Sequence, residues 1–232
     1  MSGPIRAVLL DAAGTLIRTR EPVGESYARM ARAHGVDLPA WRVEDGFRRV
    51  HASAPPMAFP GEPAARVREL EREWWRSRVR ETFRATDQTA RFRDFDGYFE
   101  ALFAHFAAPS AWVCMPGASE ALGRLRVAGL RLAVASNFDH RLGPILEALD
   151  LARFFEIVWG PAQAGAAKPE RLFFASLLAR LGVDADAAVH VGDDPEEDVV
   201  AAKAAGLHAV ALAPPATLPD LPERIRALQG GQ

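Results

Sequence analysis

The stretch Ile-Arg-Ala-Val-Leu-Leu-Asp-Ala-Ala-Gly-Thr-Leu, residues 5–16, decides the fold class of this chain. Its apolar run from Ile5 to Leu10 predicts a buried β-strand, and that strand leads directly into Asp11. Small residues follow, so little side-chain bulk surrounds the Asp11 carboxylate. Open α/β sheets bind their ligands at the carboxyl ends of the strands. We therefore expect Asp11 to line a binding crevice, where a carboxylate can act as a nucleophile.

Four apolar runs in the second half of the chain predict further strands, at Leu130–Ala135, Phe155–Trp159, Ala187–Val191 and Leu207–Ala213. Helical patterns lie between them, at Arg141–Leu149, Pro169–Leu181 and Pro195–Ala205, with Gly182 and Gly206 as expected carboxyl caps. Alternation of strands and helices is typical of a parallel sheet covered by helices on both faces. The sequence thus predicts an α/β, Rossmann-like core.

A helical insert is expected between the first strand and the rest of this core, because the pattern becomes helical after Leu16. Four helices are predicted there, at Ser26–His34, Val43–Val50, Arg66–Phe83 and Phe92–Phe106. No convincing strand pattern occurs between Thr19 and about Ala111. We expect residues 1–18 and 112–232 to form the core domain, and residues 19–111 to form an all-helical cap domain.

The composition argues against several classes of partner. The 232 residues include 28 Lys and Arg against 30 Asp and Glu, for a net charge of −2, so there is no electrostatic case for binding nucleic acid or a membrane surface. The single cysteine, Cys114, cannot form an intramolecular disulfide. With no signal-peptide or membrane-spanning pattern in the sequence, we expect a soluble, cytoplasmic protein.

Polar clusters follow the predicted strands or lie in loops beside them: Asp11 with Thr15, Ser136-Asn137, Lys168-Pro169, and Gly192-Asp193-Asp194 with Asp198. In a parallel sheet these clusters converge on one crevice. Acidic side chains can hold a hard divalent cation through oxygen, whereas a hydroxyl and an ammonium group can hold a phosphoryl group. Each cluster alone is a weak indication, but all four in order form a coherent set for phosphoryl chemistry.

In that order, Asp-x-x-Gly-Thr-Leu, strand-Ser-Asn, Lys-Pro and Gly-Asp-Asp-x-x-x-Asp resemble the four motifs of the haloacid dehalogenase-like hydrolase superfamily. The resemblance spans essentially the whole chain, and the helical insert looks like that superfamily's type I cap. Several segments also look like the group called haloacid dehalogenase-like hydrolase domain-containing protein three, among them Trp74-Trp75 and Ser136-Asn137-Phe138-Asp139.

The resemblance implies a role for each matching residue. Asp11 would be the nucleophile that forms an aspartyl-phosphate. Ser136 and Lys168 would hold phosphoryl oxygens, with help from the backbone amides near Ala12, Ala13 and Asn137, and Thr15 would orient the first loop. The implied substrate is a small phosphorylated molecule.

The resemblance also implies Mg²⁺ as cofactor. Its ligands would be the carboxylates of Asp11 and Asp193 and the backbone carbonyl of Ala13. Asp194 and Asp198 would lie nearby or serve as alternative ligands. Because residue 13 ligates through its main chain, an alanine there is compatible with metal binding.

Ala13 is nevertheless a departure from the family pattern, since typical phosphatases of the family carry at this position an acid that protonates the leaving alcohol. General acid–base catalysis of this kind raises the reaction rate by roughly 10²- to 10⁴-fold. A slow phosphohydrolase and a catalytically impaired binding or regulatory protein therefore both stay open.

A 2-haloacid dehalogenase is a further alternative, although the acidic pair Asp193-Asp194 would repel a halocarboxylate. A phosphonoacetaldehyde hydrolase would need a cap lysine, and both lysines of the chain, Lys168 and Lys203, lie in the core.

Two other polar residues receive structural interpretations. Asp139 stands before a predicted helix and is expected to be its amino-terminal cap. His190 lies within a predicted strand and is expected to be a packed core histidine.

Overall fold

A five-stranded sheet forms the core of the protein in the computed structural model, which describes residues 4–212 and 217–230. Its strands are β1 (Ala7–Leu10), β4 (Arg131–Ala135), β5 (Ile157–Trp159), β6 (Ala188–Gly192) and β7 (His208–Ala211). They are parallel and run in the order β5-β4-β1-β6-β7. The predicted α/β, Rossmann-like class is confirmed. The expected end of the last strand, Ala213, lies outside the described residues.

Helices α5 (Ala118–Val127), α6 (Leu142–Ala148), α7 (Pro161–Ala164), α8 (Arg171–Leu181), α9 (Ala201–Ala204) and α10 (Leu221–Gly230) accompany this sheet. A π-helical segment, Pro195–Val200, leads directly into α9. Short 3₁₀ turns lie at Pro109–Ala111, Ala152–Phe154, Ala185–Ala187 and Leu218–Asp220. Gly182 ends α8 with a φ of 64°, a left-handed conformation that glycine adopts without a steric penalty.

Continuous burial explains why the sheet could be recognised from its apolar runs. Every residue of β1 and β6 is buried, as expected for parallel strands covered on both faces. One core cluster joins Leu9 of β1 to Phe173, Phe174 and Leu177 of α8. This packing holds β1 at the centre of the sheet, so the loop that follows β1 starts from a fixed position.

The remaining helices are α1 (Val23–Ala33), α2 (Ala40–Ala52), α3 (Ala64–Thr86) and α4 (Phe95–Ala107). They pack around a second hydrophobic cluster that includes Tyr27, Val79, Phe83, Tyr98 and Phe99. Helix α4, the last of the four helices predicted for the insert, begins at Phe95, three residues later than expected. Asp94 caps it there, because its carboxylate accepts the Gly97 N–H.

The chain divides into two compact units. The sheet unit comprises the residues up to Arg18, Ala58–Glu62 and the residues from Cys114 onward, and the helical unit comprises Thr19–Met57 and Pro63–Val113. The segment Ala58–Glu62, within the range expected to form the cap, therefore groups with the sheet unit. None of the helices in the described parts of the chain is both long and apolar enough to span a membrane.

One expectation about the first loop is wrong. The chain does not become helical after Leu16, because β2 (Ile17–Thr19) follows and pairs with β3 (Trp112–Cys114) in a separate two-stranded sheet. A three-residue strand spans less than two periods of side-chain alternation, so its pattern cannot be distinguished from that of a loop.

Candidate active site

The loop after β1 is a tight turn built around the carbonyl of Ala12. This oxygen accepts the N–H groups of Leu16 and Ile17 at 2.8 and 2.9 Å. Asp11 precedes the turn, and its N–H donates to the Val191 carbonyl at 2.9 Å, which continues the pairing of β1 with β6. Asp11 is 7% exposed. The carboxylate is thus held at the carboxyl end of the central strand.

Glycine is required at position 14 for two reasons. Its φ of 95° lies in the region that residues with a side chain avoid. A Cβ atom there would also overlap the carboxylate of Asp193. Thr15, next in the chain, donates its hydroxyl hydrogen to Asp193 Oδ1 at 2.9 Å. The first loop and the loop after β6 are therefore in direct contact.

Lys168 connects the two sides of the site. Its Nζ donates to Asp11 Oδ1 at 2.8 Å and to Asp198 Oδ1 at 2.5 Å, and the residue is 3% exposed. Burial alone would lower the pKa of Lys168, but the charges of Asp11 and Asp198 outweigh it and raise the pKa above its usual value. Lys168 is therefore a buried cation that neutralises part of the acidic charge around it.

Asp198 accepts three hydrogen bonds. Besides Lys168, His190 Nε2 lies 2.8 Å from Asp198 Oδ1, and the N–H of Asp194 donates to Oδ2 at 3.1 Å. Burial alone would raise the pKa of Asp198, but the hydrogen bond from His190 and the charge of Lys168 hold it well below its usual range. Asp198 is thus an ionised carboxylate fixed from three sides.

Asn137 holds the backbone of Lys168 with its side-chain amide. Its Oδ1 accepts the Lys168 N–H at 2.8 Å, and its Nδ2 donates to the Lys168 carbonyl at 2.9 Å. The same Nδ2 donates to Glu197 Oε2 at 2.9 Å. Ser136, one residue earlier, directly follows β4 and is buried. The lysine is consequently positioned at both its backbone and its ammonium group.

An acidic group lies at the same edge of the sheet. Carboxylate oxygens of Asp11, Asp193 and Asp198 come within 4.8 Å of one another. Burial, together with the charges of Asp11 and Asp198, raises the pKa of Asp193, although the Thr15 hydrogen bond opposes this. Asp193 is therefore a carboxyl group whose charge is disfavoured both by burial and by its acidic neighbours. An all-oxygen set of this kind suits a hard divalent cation.

The other sequence-predicted residues are placed as follows. Asp194 lies outside the acidic group and caps the π-helical segment, because its Oδ1 accepts the N–H groups of Glu196 and Glu197, both at 2.8 Å. Ala12 is buried and Ala13 is exposed in the first loop. The structure thus joins Asp11, Asn137, Lys168 and Asp198 by hydrogen bonds, and it places the hydrogen-bonded pair Thr15 and Asp193 beside them through the acidic group. The catalytic and ligand roles of these residues stay predictions.

Two participants were not recognised from the sequence. Glu197 contacts Asn137, and its pKa is raised chiefly by burial. His190 is buried as expected, but it also bonds to Asp198 rather than only filling the core. A polar residue two positions before Gly192-Asp193, within an otherwise apolar strand, was the available indication.

Asp139 differs from its expected role. It does not cap α6, because the N-cap position is occupied by Arg141, whose side chain makes no capping hydrogen bond. Asp139 instead accepts the Arg141 N–H at 2.9 Å and forms a buried ion pair with the Arg141 guanidinium at 2.5 Å. The pair closes the loop that follows Ser136 and Asn137.

Comparison with known proteins agrees with this geometry. A family model described as haloacid dehalogenase-like hydrolase matches residues 5–206. The chain belongs to the haloacid dehalogenase-like hydrolases. Human haloacid dehalogenase-like hydrolase domain-containing protein 3 is 35% identical over 217 residues, which cover 92% of this chain and 84% of the human protein. The mouse protein of the same name is 36% identical over 209 residues, covering 90% and 82%.

Solved structures share the fold of these hydrolases. The magnesium-bound HAD-hydrolase YfnB of Bacillus subtilis aligns with a TM-score of 0.73 at 13% identity, covering 97% of this chain and all of YfnB. The HAD phosphatase of Thermococcus onnurineus aligns with a TM-score of 0.63 at 22% identity, covering 95% and 98%. The α/β architecture inferred from the apolar runs is thus that of this hydrolase family.

Proposed function

We propose that the protein is a Mg²⁺-dependent phosphohydrolase that acts on a small phosphorylated molecule through an aspartyl-phosphate on Asp11. The observation that carries this proposal is the buried ammonium of Lys168, which bonds to both Asp11 and Asp198 beside an acidic group. A nucleophilic carboxylate, a cation and an oxygen-rich metal site are the parts that phosphoryl transfer requires.

In the first step, a carboxylate oxygen of Asp11 attacks the phosphorus atom of the substrate. The bond from phosphorus to the leaving oxygen breaks, and that oxygen takes the bonding electron pair. In the second step, a water oxygen attacks the phosphorus atom and the bond to Asp11 breaks. Inorganic phosphate leaves and the carboxylate is restored. One water proton stays on the phosphate, and the other passes to solvent or, for an alkoxide, to the leaving group.

The chain's own groups stabilise the phosphoryl group in both steps. Within the described residues, Asp11 and Asp198 take two of the three hydrogens of the Lys168 ammonium. The third hydrogen can donate to a phosphoryl oxygen. The further donors in this proposal are the hydroxyl of Ser136, which is buried directly after β4, and the backbone amides of Ala12, Ala13 and Asn137.

Magnesium fits the donor set because three carboxylates crowd together, two of which, Asp11 and Asp198, share the buried ammonium of Lys168. Asp11, Asp193 and the carbonyl of Ala13 would hold the ion, with Asp198 beside them. When bound, Mg²⁺ supplies positive charge against the phosphoryl oxygens. The crowding of these carboxylates also argues against a haloacid dehalogenase, which would have to bind an anionic substrate here without a metal.

The exposed methyl group of Ala13 determines which substrates react well. It offers no proton to a departing alkoxide, so the leaving group must be stable as an anion. Acyl and aryl phosphates meet this condition. Esters of ordinary alcohols should react roughly 10²- to 10⁴-fold more slowly than they would with a general acid at this position. Ribulose-1,5-bisphosphate 5-phosphatase of Halopiger xanaduensis is 36% identical over 101 residues, 43% of this chain and 42% of that protein, which supports phosphate esters as the general substrate class.

The test is phosphate release from acetyl phosphate, p-nitrophenyl phosphate and glucose 6-phosphate, with Mg²⁺ or with a chelator. We expect Mg²⁺-dependent turnover of the first two that is lost in Asp11→Asn and retained in Asp184→Asn, a surface control. Ala13→Asp should raise the rate on glucose 6-phosphate by about 100-fold. Turnover that survives in Asp11→Asn would overturn the proposal.

The second candidate function, a binding or regulatory protein, is favoured by the same Ala13. Its distinguishing result is a native protein that releases no phosphate from any of the three compounds while Ala13→Asp does. That outcome would mean that the site is intact but lacks its proton donor.

A further inference from the structure

His190 is a buried polar residue with no part in the proposed chemistry. It lies in the middle of β6, is 1% exposed, and its ring meets the ring of Phe174 edge-on at 5.1 Å. Its Nε2 lies 2.8 Å from Asp198 Oδ1. A histidine that only filled the core would not need a carboxylate at this position.

The contact defines which ring nitrogen carries hydrogen. An ionised carboxylate can only accept, so Nε2 must be the donor. In the described part of the chain, Nδ1 is buried without a hydrogen-bond partner. A bare lone pair is less costly there than an N–H group, because an unsatisfied buried donor loses a full hydrogen bond. His190 is therefore the neutral tautomer with hydrogen on Nε2, consistent with the lowering of its pKa, chiefly by burial.

The hydrogen bond from His190 ends on the same oxygen that holds Lys168. Asp198 Oδ1 accepts Nε2–H of His190 and an Nζ hydrogen of Lys168, while Oδ2 accepts the Asp194 N–H. Two of these three donors come from rigid elements, a strand and the start of a helical segment. They fix the plane of the carboxylate, and the flexible lysine side chain then docks against it.

We propose that His190 is a positioning residue, whose Nε2–H orients Asp198 so that Lys168 stays bonded to Asp11. Its effect on turnover rests on the proposed function, whereas its effect on the place of Lys168 does not. Gly192 belongs to the same arrangement, because a Cβ there would overlap the Asp198 carboxylate and move it away from His190.

The two lysines of the chain make a direct test possible. Acetic anhydride acylates lysines that are free of ion pairs and accessible, and peptide mass spectrometry gives the acylation rate of Lys168 relative to that of exposed Lys203. His190→Met removes the donor at similar volume, and His190→Gln keeps an amide N–H that can reach Asp198. His208→Met is the matched control, since His208 lies in the adjacent strand and its Nε2 bonds to the backbone carbonyl of Asp186 rather than to a carboxylate.

We expect the Lys168:Lys203 acylation ratio to rise about tenfold in His190→Met, the lower end of the effect of losing a group that orients a ligating side chain. It should return towards the native value in His190→Gln and stay native in His208→Met. An unchanged ratio in a folded His190→Met protein, or an equal rise in all three variants, would overturn the proposal.

A measurement on the native protein covers the case in which His190→Met does not fold. The ¹⁵N chemical shifts of His190 should show the neutral tautomer with hydrogen on Nε2, and hydrogen on Nδ1 would contradict the proposal. Kinetics with acetyl phosphate give a separate readout, where kcat/KM should fall about tenfold in His190→Met and recover in His190→Gln. If the native protein releases no phosphate, the proposed function fails, yet the acylation ratio still decides the role of His190.

Discussion

The helical unit and the sheet unit bury different kinds of side chain. The helical unit packs aromatic rings against one another, with Phe83 in contact with Tyr27, Phe92 and Tyr98. Many of its ion pairs, such as Arg29 with Glu21, lie at the surface, although the acid Glu71 is buried there. The sheet unit buries the charged groups of its site at the carboxyl ends of its strands.

The two kinds of buried side chain are expected to differ in how they affect stability and activity. Buried rings contribute large apolar areas without desolvating any charge. Buried ions cost free energy to desolvate, and a well-packed apolar replacement of a whole cluster is often neutral or stabilising. Under the proposed function, the charged groups of the sheet unit serve to bind and transfer a phosphoryl group. Replacing one member should harm activity and stability together, whereas replacing a ring should harm stability alone.

The largest effect is expected from Lys168→Met, which leaves Asp11 and Asp198 without their shared cation. Loss of one partner of a buried ionic cluster costs about 3–5 kcal/mol of unfolding free energy, and loss of an oxyanion donor lowers kcat by about 10²- to 10³-fold. Denaturant unfolding and phosphate release measure the two effects. Lys203→Met should change neither, and a native-like Lys168→Met would contradict the role given to this ammonium.

Phe83→Ala tests the other side of the comparison. Removing a ring that contacts three others should lower the unfolding free energy by about 3–5 kcal/mol. Trp41→Ala, at a site that is 72% exposed, should change it by no more than about 0.5 kcal/mol. Equal effects in the two variants would show that the aromatic cluster does not stabilise the helical unit.

Asp139→Asn tests whether a buried ion pair outside the acidic group contributes to stability as the buried rings do. The unfolding free energy should fall by about 3 kcal/mol at pH 7, because the buried Arg141 guanidinium no longer faces an ionised Asp139. Burial alone would raise the pKa of Asp139, but the hydrogen bonds and charge of Arg141 lower it below its usual value. As the pH falls, the unfolded state therefore takes up the proton first, starting near pH ~4.

The stabilisation by this pair is consequently complete at neutral pH and is lost as the pH falls towards the lowered pKa. Urea unfolding of native and Asp139→Asn proteins between pH 3 and pH 7 should show the gap in unfolding free energy narrowing below pH ~4. A gap that widened towards acid pH would have the wrong sign for this explanation.

The smallest effect is expected from Arg29→Ala, which removes a surface pair with Glu21. Exposed ion pairs contribute about 0–1 kcal/mol, and salt screens them. The unfolding free energy in low salt should therefore fall by less than about 1 kcal/mol, and the difference should vanish in molar salt. A loss comparable to that in Phe83→Ala would erase the contrast between surface pairs and buried rings.

The sequence was most informative where burial is continuous. The strand at the start of the chain, β1, could be recognised because both of its faces are covered, and Gly182 marks the end of α8 because a left-handed residue is needed there. β2, β3 and α7 were not recognised. Each is shorter than two periods of its own pattern. The equally short β5 was recognised from the run Phe155–Trp159, which lies between two predicted helices.

Some parts of the candidate site could be predicted from the sequence and others could not. The polar clusters at strand ends could be found because chain order and strand direction determine where they meet. The contacts of His190 and Glu197 could not, because they depend on how the π-helical segment after Gly192 turns back towards β6. Asp139 was misassigned because a carboxylate before a helix has two possible partners, the helix amides or a nearby guanidinium, and only packing selects between them.

The central place of β1 also has a consequence for biosynthesis. On one side its neighbour is β6, where Ala7 lies opposite Ala188, about 180 residues later in the chain. The ribosome therefore synthesises β1 and the following Asp11 long before it synthesises β6, the neighbouring strand that leads into Asp193. Until then the apolar Ala7–Leu10 segment lacks this neighbour and is open to chaperones or to aggregation. Chains that end before β6 would contain Asp11 but would lack Asp193 and Asp198.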